Sequence, residues 1–100
     1  MVPYRESDMS NKHQRTLEAI FKLPVLSNIK WKDCENLLVH LGAEMGEGEG
    51  SRVHFVLKGV KGSFHRPHPR KEIDKGALKS LRNFLENAGI KPKEKNHDEI

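Results

Sequence analysis

The sequence predicts an α+β domain in which two helices precede a three-stranded antiparallel sheet and a third helix follows it, with all helices on one face of the sheet. Three observations lead there. Apolar residues recur at helical spacing around residues 31–41 and again around 77–88, the period drops to two over residues 52–57, and glycines stand where the period changes. With 100 residues and 35% apolar content the chain can fill one modest core. Only six residues are aromatic, so that core should rest mainly on Leu, Ile and Val.

Residues 1–9 and 91–100 have little apolar content or periodicity and read as mobile tails around a single domain of residues 10–90. Ser10 can cap a first helix over residues 11–22, with Leu17, Ile20 and Phe21 on one side and Pro24 beyond its end. The second helix carries the stripe Trp31, Cys34, Leu37, Leu38 and Leu41, with Asp33 and Glu35 near its start and Gly42 as its left-handed C-terminal residue. The last helix follows Asp74 as N-cap, buries Ala77, Leu78, Leu81, Phe84, Leu85 and Ala88, and stops at Gly89.

Between these helices, Val53, Phe55 and Leu57 alternate with Arg52 and His54, as expected of a half-buried strand, and residues 60–65 read as its partner. A two-residue turn at Lys58-Gly59 sets the register. Leu57 then faces Val60, Phe55 faces Gly62 and Val53 faces Phe64 on the inner side, while His54 meets Ser63 and Arg52 meets His65 on the outer side. A strand near residues 43–45 completes the sheet.

The chain has 18 basic and 14 acidic residues, but the charge is segregated. Residues 51–82 hold nine basic residues against Glu72 and Asp74, whereas residues 42–50 hold Glu44, Glu47 and Glu49 and no cation. Such polarity suits a polyanionic partner, above all nucleic acid. No apolar run approaches the roughly 18 to 20 residues that span a bilayer, and the first residues lack the apolar stretch of a signal peptide, so a cytoplasmic protein with no membrane partner is expected. Cys34 is the only cysteine and cannot form an internal disulfide. It reads as a small core residue.

The outer face of the hairpin would present Arg52, His54, Ser63 and His65, with residues two apart on a strand separated by about 6.6 Å and opposed pairs by about 5 Å. Cleavage of RNA without a metal needs a base for the 2′-hydroxyl proton, an acid for the leaving oxygen and a cation at the phosphate. Histidine serves the first two and the arginine fork the third. A second grouping, His65-Arg66-Pro67-His68-Pro69, is a poor metal site, because no carboxylate or thiolate stands at a matching spacing. There the prolines end the strand and lead a basic loop toward the last helix.

Gly50-Ser51 before an alternating strand, then His68-Pro69-Arg70-Lys71-Glu72-Ile73, then Gly76-Ala77-Leu78-Lys79-Ser80-Leu81 and a helix closing in Asn87-Ala88-Gly89-Ile90, resembles the HicA family of toxins. The resemblance covers residues 31–90. It implies a helix, three strands and a helix arranged like a double-stranded-RNA-binding domain, an mRNA interferase activity that uses no metal or other cofactor, and neutralisation by a HicB-type antitoxin. The helix at 11–22 would be an addition. In the family pattern a catalytic histidine directly follows Gly-Ser, and here that position is Arg52. Arginine stays protonated and cannot act as a base. The resulting expectation is an endoribonuclease with His54 as general base, His65 as acid and Arg52 as phosphate ligand, and with Lys58, Lys61, Arg66, Arg70 and Lys71 on the RNA backbone. Arg52 also admits a noncatalytic RNA-binding module of the same fold, and the basic surface admits a docking site for an acidic antitoxin.

Overall fold

A computed structural model describes residues 11–92. The expected N-cap Ser10, the tail at 1–9 and all of the C-terminal tail beyond Pro92 lie outside the described residues. The element order is α1 (Asn11–Ile20), α2 (Trp31–His40), β1 (Glu44–Glu47), β2 (Arg52–Leu57), β3 (Val60–His65) and α3 (Lys75–Asn87). The strands form one antiparallel sheet in the order β1-β2-β3. From α2 onward this is a double-stranded-RNA-binding-domain-like arrangement, with α1 placed ahead of it.

Local chemistry accounts for the helix boundaries. Asp74 accepts a 2.7 Å hydrogen bond from the Ala77 amide and so satisfies one of the free donors at the start of α3. At its other end Gly89 adopts φ +81°, the Ile90 amide donates to Leu85 and that of Gly89 donates to Glu86. Gly42 closes α2 in the same way, with φ +101° and a bond from the Ala43 amide to Leu38. The first helix is two residues shorter than expected. The Lys22 amide reaches back only to Ala19, so the last turn tightens before Pro24, whose ring disfavours helical backbone in the residue ahead of it.

The hairpin register is the expected one throughout: Leu57 pairs with Val60, Phe55 with Gly62, His54 with Ser63, Val53 with Phe64 and Arg52 with His65. Lys58 (φ +51°) and Gly59 (φ +82°) both occupy the left-handed region, as a type I′ turn requires. The edge strand β1 runs later than expected, over Glu44–Glu47, and all four residues are exposed. Backbone bonds to β2 define it, so its side chains carry little of the burial alternation that marks β2.

Val53, Phe55, Leu57 and Phe64 are buried on the inner face together with Leu37, Leu38, Leu78, Leu81 and Leu85 from the helices. Phe64 stands at the centre of this seam, 6.1 Å from both the Trp31 and the Phe55 ring and edge-on to Phe84 at 5.9 Å. A Cβ at Gly62 would lie 2.7 Å from the Phe84 ring, so the bare backbone there lets α3 close on β3. The first helix belongs to the same core through Leu17 and Ile20. It is tied to α2 by Lys12–Asp33 at 3.3 Å and by stacking of His13 on His40, and to α3 by Arg82, which donates to the Ile20 carbonyl. No helix of the described residues is long and apolar enough to cross a membrane.

Candidate active site

Among the described residues every helix lies on the inner side, and none covers the other face of the sheet. Along it β2 presents Arg52, His54 and Val56, each opposite one residue of β3: His65, Ser63 and Lys61. Arg52, His54, Ser63, Lys61 and His65 are all exposed. His54 and Ser63 are joined, with Nδ1 2.6 Å from Oγ. That bond fixes the imidazole plane on a rigid strand pair. Arg52 and His65, being directly opposed, stand about 5 Å apart at Cβ, one pleat from His54.

On its opposite flank His54 meets glycine backbone. Gly46 of β1 faces it across the sheet, with open space where a side chain would be. Gly48, in the β1–β2 turn, passes so close that a Cβ on it would sit 2.8 Å from His54 Nε2 and 3.2 Å from Arg52 Cβ. The Gly48 amide donates to the Arg52 carbonyl at 2.8 Å, which holds this approach. In the sequence these glycines mark only the change of period ahead of β2. Their signal was the spacing Gly46-x-Gly48 beside a strand that carries a histidine. On the β3 side, His54, Val56, Lys61 and Ser63 line a shallow hollow of about 350 Å³ floored by Gly62. It can accept a small group against the imidazole.

The other basic residues are placed differently. Lys58 projects from the hairpin turn, and Arg70 and Lys71 lie exposed in the connection from β3 to α3. Arg66 continues β3 on the same side as Phe64, toward the helices. Its guanidinium donates to Glu35 of α2 at 3.2 Å and to Glu47 of β1 at 2.9 Å, clamping three elements. The bonds to these carboxylates hold Arg66 firmly protonated, and Arg66 in turn holds Glu47 below the usual carboxylate range. Buried Glu35 also accepts from the Trp31 indole at 2.7 Å. Since Glu47 immediately precedes Gly48, the clamp anchors the turn that lies against His54. Among the described residues no group of three or more His, Cys, Asp or Glu side chains gathers as metal ligands would.

The arrangement offers two imidazoles, one of them fixed by a hydroxyl, a guanidinium opposite the second, and a lysine at the hollow. It can exchange protons at two points and bind an anion between them. No curated protein and no solved structure matches the chain. The model of the HicA toxin family of bacterial toxin-antitoxin systems matches residues 31–90, from the first residue of α2 to Ile90 just past α3 and including every residue of the open face. Spanning more than half of the sequence, that match makes the chain a member of the HicA toxin family.

Proposed function

We propose that this toxin is a metal-independent endoribonuclease of the cytoplasm, with residues 10–90 as its functional unit and a HicB-type protein as the antitoxin that its family membership implies. The observation that carries the reading is the 2.6 Å contact between His54 Nδ1 and Ser63 Oγ on the open face. With the ring proton on Nδ1 and donated to Ser63, Nε2 is left as the free base. It takes the proton of a ribose 2′-hydroxyl, and the 2′-oxygen attacks the adjacent phosphorus. The bond to the 5′-oxygen breaks as protonated His65 supplies the proton that this oxygen needs, leaving a 2′,3′-cyclic phosphate and a 5′-hydroxyl. Arg52, directly opposite His65, carries the charge that neutralises the phosphorane. Lys61 at the hollow and Lys58 in the turn hold neighbouring phosphates, as do Arg70 and Lys71. Arg66, occupied by Glu35 and Glu47, serves the RNA indirectly by fixing the sheet edge.

One residue favours a second reading. Arg52 stands where the family pattern has its histidine, which suits a module that binds RNA without cutting it. Incubation of purified protein with RNA in EDTA decides between the two. Cleavage that falls by about 10² to 10⁴ fold in His54→Ala, with RNA affinity retained, supports the enzyme. Full cleavage in that variant removes His54 from the role, and tight binding without cleavage by the wild type selects the binding module. Arg52→His separates the histories of the site: it raises the rate if Arg52 marks a lost activity and leaves it unchanged or lower if His54 has replaced the function.

A further inference from the structure

Lys30 and Lys32 are 38 to 41 residues from Arg70 and Lys71 in sequence, yet the four surround one hollow of about 300 Å³. Backbone pairing brings them together. The Trp31 amide donates to Lys71, the Ile73 amide donates to Ile29, both at 2.9 Å, and Lys30 forms an isolated antiparallel bridge with Glu72. Pro67 and Pro69 form the other wall.

We propose that this hollow is a second phosphate-binding subsite for single-stranded RNA, taking up the strand after it leaves the open face; the inference rests on the RNA reading above and extends it. Three features support it. The first is charge: all four cations are exposed, and among the described residues none forms an ion pair, whereas Arg66 is matched by Glu35 and Glu47 and Lys12 by Asp33. Of the acidic residues beside these cations in sequence, Asp33 is engaged by Lys12, and Glu72, whose backbone bridges to Lys30, is outnumbered by the four cations. Gathered unpaired cations repel one another, and a polyanion that releases its own counterions relieves that repulsion.

The second feature is position. Pro67 lies two residues beyond His65, so at no more than about 3.6 Å per residue the rim of the hollow is within about 7 Å of that histidine's backbone. A strand with its scissile phosphate near His65 can reach it with the next few nucleotides. The third is chemistry. Three flexible ammonium groups and one guanidinium recognise phosphate without reading a base, as a contact outside the cleavage site should.

The test uses 2′-O-methyl oligoribonucleotides, which lack the attacking hydroxyl and survive the incubation, in lengths of 2 and 12 nucleotides with the full chain. Wild type should bind the 12-mer more tightly. Lys30→Ala combined with Lys32→Ala should weaken 12-mer binding about tenfold and lower the salt slope by about 1.4, at about 0.7 for each lost phosphate contact on a single strand, while 2-mer binding and the thermal midpoint stay unchanged. Equal losses for both lengths, or no loss for either, overturn the subsite while leaving the RNA reading intact. Failure of wild type to bind either oligonucleotide overturns the RNA reading, and the subsite with it.

Discussion

Gly48 and His54 share a space that a single methyl group would fill, since a Cβ at 48 would lie 2.8 Å from Nε2 of the ring. The ring cannot simply swing away without leaving Ser63, 2.6 Å from its other nitrogen. Gly48→Ala should therefore displace the imidazole or the turn, and RNA cleavage should drop at least tenfold while the thermal midpoint moves little, because Gly48 lies outside the core. A normal cleavage rate in Gly48→Ala, measured beside Ser63→Ala, would show that the ring orientation is unimportant.

The Arg66 clamp should separate stability from charge. Arg66→Met keeps much of the apolar stem but leaves buried Glu35 with only the Trp31 indole, and should cost about 2 kcal/mol in denaturant unfolding. Lysine should restore only part of this, because one ammonium cannot reproduce a fork that reaches two carboxylates.

Acid tests the same contact through Glu47. Arg66 depresses its carboxyl pKa, so the bond contributes fully above the unfolded-state value of about 4.3, fades as pH falls below it and is lost once Glu47 protonates in the fold. The difference in thermal midpoint between wild type and Glu47→Gln should shrink on acidification over that window. A difference that grows as pH falls would contradict the assignment.

Lys58 occupies a left-handed position, φ +51°, that asparagine adopts at lower cost. Lys58→Asn should raise stability by about 0.5 kcal/mol while weakening RNA binding through the lost charge. Unfolding curves and a salt titration on the same variant would reveal whether the two effects part in opposite directions.

Cys34 is fully buried, and burial, with a smaller contribution from Asp33, pushes its thiol up to about 12. A thiol reagent at pH 8 should label the native chain very slowly and the denatured chain at once, so labelling reports opening of the core. Rapid labelling of the folded protein would mean that α2 opens far more often than its packing suggests.

The residues of the hairpin determined their own arrangement. Turn chemistry at Lys58-Gly59 and alternation of Val53, Phe55 and Leu57 are short-range properties, and together they allow one register that buries the apolar set and places Arg52, His54, Ser63 and His65 outside. The same holds for Asp74, Gly42 and Gly89, which act on backbone groups within a few residues. The family resemblance over residues 31–90 was legible for a related reason, because it lies in the order of such local features along the chain. Tertiary structure decided what depends on neighbours far away in sequence. It turned Arg66 from a free cation into the partner of Glu35 and Glu47, brought Gly48 against His54, and joined Lys30 and Lys32 to Arg70 and Lys71 through the bridge to Glu72. A side chain's partners follow from how elements pack, and neither periodicity nor capping carries that information. The chain therefore announces its hairpin and its exposed histidines, and only the fold reveals what holds His54 in place.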